Sequence, residues 1–139
     1  MIVAGFDRPL VDTLTEYGNA FGMVFQIVDD LLDLTSTSEQ LGKPAGHDME
    51  EGVYTLPVLR TLSAGGPAAD ELGDLLGRPL GPVERDKALA IVRSESGIAA
   101  AVDVANDYVA RAVTALADLP DTPAVAALRD APAALLATV

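Results

Sequence analysis

Carboxylates are the residues with chemistry to offer, and they concentrate in Phe25-Gln26-Ile27-Val28-Asp29-Asp30-Leu31-Leu32-Asp33. On a helix, with about 100° between residues, Asp29 set at zero puts Asp33 at about 40° and Asp30 at about 100°. Gln26 falls at about 60° and Gly22 at about 20° on the same wheel. Three carboxylates, one amide and one glycine therefore share a face. Val24, Ile27, Val28, Leu31, Leu32 and Leu34 cover the arc from about 140° to about 300°, and Phe25 extends it to about 320°. A helix apolar over so much of its circumference is buried. Its acidic face lies near the C-terminus, where the macrodipole already disfavours anions and the carboxylates repel one another. A cation offsets both effects. Mg²⁺ bridging to a diphosphate is the natural candidate, because it takes one or two carboxylates and completes its shell with phosphate oxygens and water. The plainer alternative is a solvated acidic helix end beside a loop. The apolar remainder of the helix favours a cleft, as do Gln26 and Gly22 on the acidic face, the small residue leaving room for a long substrate.

Composition narrows the other chemistries. The 139 residues are half hydrophobic, enough for a core. The formal net charge of −12 repels a polyanion and argues against nucleic-acid binding. There is no cysteine, which removes disulfides, thiolate metal sites and thiol catalysis. The single histidine, His47, argues against a Ser-His-Asp triad or a multi-histidine metal site. Met1 to Asp7 has no basic region and too short an apolar run for a signal peptide. No stretch of 18 or more uncharged apolar residues is present, so no membrane span is expected. A cytoplasmic location is the expectation.

The elements that must position the carboxylates read as helices. Asp7-Arg8-Pro9 is a helix start, with Asp7 as cap and proline where its missing N–H costs nothing. An aspartate-rich helix is expected over about 8–34, then a polar, glycine-bearing loop over 35–52. Helices are expected over 53–63, 68–76, 83–94, 97–119 and 123–137, punctuated by Gly65-Gly66-Pro67, Gly77-Arg78-Pro79 and Pro120-Asp121-Thr122-Pro123. No segment alternates with period two, so the chain reads as all-α. Ala101, Ala105, Val109 and Ala112 recur at helical spacing as core. Arg85, Lys87 and Arg93 read as a solvated face, and Tyr17, Tyr54 and Tyr108 as core or rim.

The run Gly22 to Asp33, then Leu41-Gly42-Lys43-Pro44, Gly46-His47-Asp48, Gly52 and Thr55-Leu56-Pro57, resembles the trans-isoprenyl diphosphate synthases, the polyprenyl synthetase family. It is similar to the second aspartate-rich motif and the segment that follows it. The resemblance implies the C-terminal half of an isoprenoid-synthase-type helical bundle, so residues 1–139 would form one partial domain. It implies Mg²⁺ held by Asp29, with Asp30 and Asp33 as further ligands or acting through water, and Asp48 supporting the metal site. Lys43 would bind the allylic diphosphate, and Gln26 would lie by the reacting carbons. Two positions depart from the pattern. His47 replaces a small polar residue and reads as a loop surface residue. Val53 stands where long-chain members commonly carry lysine. Lys43 also has a plainer reading, as an exposed loop lysine.

The family's reaction is head-to-tail transfer of a prenyl group from an allylic diphosphate to isopentenyl diphosphate, with metal-bound charge stabilising the leaving diphosphate. No second D-D-x-x-D is present; Asp103 and Asp107 lack the doublet. The resemblance therefore implies a subunit of a split synthase, inactive alone. A partner would bring the first aspartate-rich motif and complete a heterodimer or heterotetramer. An apolar face left uncovered would mark the partner's seat. Two other readings stand beside it: a noncatalytic regulatory or degenerate relative, and a fragment of a class I terpene cyclase. Retention of Asp29, Asp30, Asp33, Lys43 and Asp48 together counts against the first. Gly42-Lys43 followed by Gly46-His47-Asp48 fits the synthase better than the second.

Overall fold

A computed structural model describes residues 5–139. The N-terminal run weighed above as a signal peptide begins with residues 1–4, which lie outside the described residues. The described residues are helical and contain no strand. The helices are α1 (Arg8–Thr35), α2 (Ser38–Leu41), α3 (His47–Glu50), α4 (Leu56–Ser63), α5 (Pro67–Leu76), α6 (Pro82–Ser94), α7 (Gly97–Ala115) and α8 (Pro123–Leu136). None is long and apolar enough to cross a membrane.

Local chemistry sets the helix starts. Asp7 Oδ1 accepts the Leu10 N–H at 3.1 Å, capping α1 as its sequence implies. Proline opens α5, α6 and α8, where its absent N–H is one of the orphans of the first turn. Thr122 adds a side-chain cap to α8, accepting from the Val125 N–H at 3.2 Å. The segment 35–52, expected as loop, holds two single-turn helices. Thr37 and Gln40 form a reciprocal capping box that starts α2. α7 stops at Ala115 rather than Leu119, because Leu116, Ala117 and Leu119 donate to the carbonyls three residues back, the tighter pattern in which helices end.

The described residues divide into two compact units, one of residues 5–28 with 104–138 and one of 29–103 with 139. The first is built on Tyr17, Ala20, Ala112 and Leu116. Tyr17 stacks on Phe21 with ring centroids 5.9 Å apart, and its hydroxyl donates to the Leu128 carbonyl at 2.8 Å. Tyr17 is thus core, and Tyr108, half-buried, carries the Arg111 guanidinium 4.8 Å over its ring. Met23 and Phe25 are exposed, Phe25 by 58%. Phe25 lies at the edge of the apolar arc, and the described residues of this unit leave it uncovered.

The second unit packs Leu34, Met49, Val58, Leu72, Leu89 and Val92 into one core. Ala101 is fully buried here, as Ala105 and Ala112 are in the first unit, while Val109 is half-buried. Gly97 comes against α4: a Cβ there would stand 2.0 Å from Thr61 Oγ1 and 2.3 Å from the Pro57 carbonyl oxygen. Only glycine permits that approach.

Candidate functional site

The C-terminal end of α1 and the loop after it meet in the second unit. α1 ends at Thr35 with no basic residue in its last turn. Gly42 and Gly46 both adopt left-handed backbone, with φ of 67° and 78°. These two turns fold the segment between them back onto α1, and the Gly46 N–H donates to the Asp33 carbonyl at 2.9 Å. The spacing from Gly42 to Gly46 thus has a conformational cause.

Asp29 is exposed, Asp30 is half-buried and Asp33 is 3% exposed. The wheel sets Asp33 beside Asp29, and the returning loop is what buries it. Asp33 Oδ2 accepts the Asp48 N–H at 3.3 Å, and Oδ1 lies 3.6 Å from Lys43 Nζ. Oδ1 is buried without a hydrogen-bond partner, the ion pair being too long for one. Asp33 therefore ties the helix to the loop. Lys43 keeps nearly half of its side chain in solvent.

The half-buried Asp48 carboxyl is pushed above its ordinary value. Burial is the largest cause, and the negative charges of Asp33 and Asp29 add to it, with Lys43 and His47 pulling the other way. Asp29, Asp33, Asp48 and Lys43 thus form one electrostatic cluster. His47 is turned to Glu51, Nε2 to Oε1 at 3.1 Å, the i to i+4 pair of a loop-helix surface. Val53 is exposed, and its N–H donates to the Asp48 carbonyl at 2.8 Å. Gln26 is exposed on α1 within the first unit. Among the described residues no three His, Asp or Glu side chains converge closely enough to hold a metal ion unaided.

Of the cations read as a solvated face, Arg93 and Lys87 are exposed and Arg85 is half-buried, and both arginines also make structural bonds. Arg93 Nε donates to the Leu34 carbonyl at 2.6 Å, and Nη2 to the Ser36 carbonyl at 3.2 Å. Arg85 reaches Glu50 of α3 at 3.2 Å and Asp86 at 3.3 Å, with only 15% of its side chain exposed. Charge counting along α6 could not distinguish a clamp from a solvated face. The available signal was on α1: a helix rich in acid and lacking a basic last turn needs donors for its end carbonyls from elsewhere. Tyr54 likewise spends its hydroxyl on the Leu76 carbonyl at 3.1 Å.

Residues 1–92 match the polyprenyl synthetase family. The chain is 43% identical over 127 residues to the nonaprenyl diphosphate synthase of Mycobacterium tuberculosis, covering 86% of this chain and 37% of that one. It is 37% identical over 133 residues to heptaprenyl diphosphate synthase component 2 of Geobacillus stearothermophilus, covering 93% of this chain and 40% of the relative. The fold is similar to the crystal structure of a geranylgeranyl pyrophosphate synthase from Corynebacterium glutamicum complexed with calcium and isoprenyl diphosphate. That match has a TM-score of 0.89 at 36% identity, over 98% of this chain and 42% of the other. The chain thus spans about two fifths of the length of each of these relatives. Helical content, the aspartate-rich helix with its Gly-Lys loop, and these matches agree: the chain belongs to the polyprenyl synthetase family.

Proposed function

We propose that the chain is the subunit of a heteromeric trans-isoprenyl diphosphate synthase that carries the second aspartate-rich motif. The reaction is transfer of a prenyl group from an allylic diphosphate to isopentenyl diphosphate, dependent on Mg²⁺. The observation that carries the proposal is the fold-back of Gly42 to Asp48 onto the end of α1, which sets Asp48 and Lys43 against Asp33, with Asp29 near enough for its charge to act on Asp48.

The cluster suits a hard divalent cation. All its acidic donors are carboxylate oxygens, Asp33 Oδ1 is buried and short of a partner, and Asp48 is held at a cost in its charged form. Too few carboxylates converge to complete a shell, which fits Mg²⁺, a metal that keeps waters and substrate phosphates as ligands. When bound, Mg²⁺ supplies charge that stabilises the departing diphosphate. Asp29 and Asp30 would hold it, with Asp33 and Asp48 completing the acidic wall. Lys43 would bind the allylic diphosphate; Asp33 keeps its ammonium near the carboxylates before substrate arrives. Gln26 would orient the reacting carbons. With Val53 uncharged, Lys43 is the chief cation the loop offers to a diphosphate, so further cations belong to the partner.

The partner would carry the first aspartate-rich motif and the isopentenyl diphosphate site. Exposure of Met23 and Phe25 on the helix that leads into the motif favours a covering chain. A relative described as one component of a heptaprenyl synthase agrees with a heteromeric enzyme. Co-expression with a polypeptide bearing the first motif, followed by co-purification and assay, tests the proposal. An active complex, an inactive lone chain and a native protein of 14.4 kDa on an immunoblot support it. Full activity of the lone chain, or a native protein of more than twice that mass, overturns the split arrangement.

A further inference from the structure

Three carbonyls in the last turn of α1 have identified partners. The Leu32 carbonyl accepts the Ser36 N–H at 3.0 Å, and the Asp33 carbonyl accepts the Gly46 N–H at 2.9 Å. The Leu34 carbonyl accepts Arg93 Nε at 2.6 Å, and beyond the helix the Ser36 carbonyl accepts Arg93 Nη2 at 3.2 Å. One guanidinium from α6 therefore spans the last turn and the first residue past it. The fork geometry matters, because its two N–H vectors fix both the end of the helix and the direction in which the chain leaves it. The same end concentrates negative charge. Its carbonyl dipoles point outward, three aspartates lie in the last two turns, and α1 offers no basic residue in its own last turn.

We propose that Arg93 is a positioning residue for the aspartate-rich helix, closing its carbonyl end and thereby fixing the geometry in which the carboxylates receive a divalent cation. It does not touch substrate or metal. It acts through Leu34, whose carbonyl it holds, and so through the turn that carries Asp33 and, one turn earlier, Asp29 and Asp30. Its charge and its geometry have opposite consequences. A positive charge near the carboxylates weakens cation binding, whereas a helix end held in place strengthens it. Loss of Arg93 as a mere counter-charge would tighten cation binding, and loss of Arg93 as a positioning group loosens it. The metal part of this inference rests on the function proposed above; the closing of the helix end does not.

The test uses the 139-residue chain in four forms: unaltered, Arg93→Met, Arg93→Lys and Val92→Ala. Val92 is a fully buried core residue, so its truncation lowers stability without removing a bond to the end of α1. Amide hydrogen exchange at Ser36 and Gly46 is measured on the chain, and Mn²⁺ binding, as a probe for Mg²⁺, on its complex with the partner, because the chain's own carboxylates do not complete a shell. Arg93→Met should speed exchange at both amides by about tenfold, the size expected for losing a hydrogen bond to a charged group. It should weaken Mn²⁺ binding by about tenfold, as loss of a supporting contact around a metal site does. Arg93→Lys, which keeps the charge without the fork, should recover only part of each effect. Val92→Ala should lower the melting temperature and leave Mn²⁺ affinity within about twofold.

Unchanged exchange at Ser36 and Gly46 in Arg93→Met overturns the proposal. So does tighter Mn²⁺ binding in that variant, or a Mn²⁺ shift that Val92→Ala reproduces at equal stability. Absence of Mn²⁺ binding by the complex of the unaltered chain, or binding indifferent to Asp29→Asn, counts against the metal reading and refutes the metal half of the inference. The exchange data then decide separately whether Arg93 closes the helix.

Discussion

Gly97→Ala should destabilise the second unit by about 2–3 kcal/mol, a magnitude that comes from three distances. An added Cβ would stand 2.0 Å from Thr61 Oγ1, 2.3 Å from the Pro57 carbonyl oxygen and 2.9 Å from the Thr61 nitrogen. Two of these neighbours are backbone, so rotating one side chain cannot make room. The Thr61 hydroxyl is itself committed, donating to the same Pro57 carbonyl at 2.9 Å. Overpacking of this kind costs typically ~1–3 kcal/mol, with the upper end expected where backbone must move. Alanine's better helix propensity returns at most ~1 kcal/mol, and less at the first residue of a helix. Gly18, in the middle of α1 with nothing near a prospective Cβ, provides the opposite case: Gly18→Ala should stabilise by ~0.5–1 kcal/mol. Urea unfolding at constant m-value measures both. Gly97→Ala combined with Thr61→Ala should remain less stable than Thr61→Ala alone, because the Pro57 carbonyl is still in the way. A Gly97→Ala chain as stable as the unaltered one would refute the close approach of α7 to α4.

Asp33→Ala removes the acceptor of the Asp48 N–H and the partner of Lys43. A loss of ~1–2 kcal/mol is expected, at the low end because the hydrogen bond is long and Lys43 can return to water. Asp33→Asn should cost less, since its amide oxygen can still accept from Asp48, and limited proteolysis between Gly42 and Gly46 should rank the two in that order. Asp48 gives a pH signature. Its folded-state proton affinity is raised, so the folded chain gains stability as pH falls through the raised value, and the cost of its charge is present in full at neutral pH. Asp48→Asn should therefore be at least as stable as the unaltered chain at neutral pH and lose that component of the pH dependence, as read from melting temperature in buffers from acid to neutral.

The helical class, the extent of α1 and the starts of α5, α6 and α8 were legible because they depend on short-range chemistry: apolar periodicity, Asp7, and prolines placed where a first helical turn has N–H groups to spare. Asp29 on an open face was legible for the same reason. Asp33 was not, since a wheel knows nothing of a loop that folds back over the helix end. Gly42 and Gly46 marked that loop, but their left-handed turns fix its path only when the Asp33 carbonyl and carboxylate are present as partners. Arg93 is exposed as read, but its bonds, like those of the half-buried Arg85, were not legible because their acceptors, Glu50, Leu34 and Ser36, lie dozens of residues away in sequence. Phe25, placed by the wheel at the edge of the apolar arc, is exposed, which makes it informative about a partner instead of about the core.

The most direct test of the central claim is the rate of Mg²⁺-dependent diphosphate release from an allylic diphosphate and isopentenyl diphosphate by the reconstituted complex, with Asp29 intact or replaced by alanine. The complex with Asp29 should release diphosphate and form a prenyl product. Asp29→Ala, in a complex that still assembles, should lose about 10²-fold to 10³-fold or more in rate, as removal of a charge-stabilising group does. A complex whose rate is indifferent to Asp29→Ala would contradict the assignment of this helix to the diphosphate-metal site.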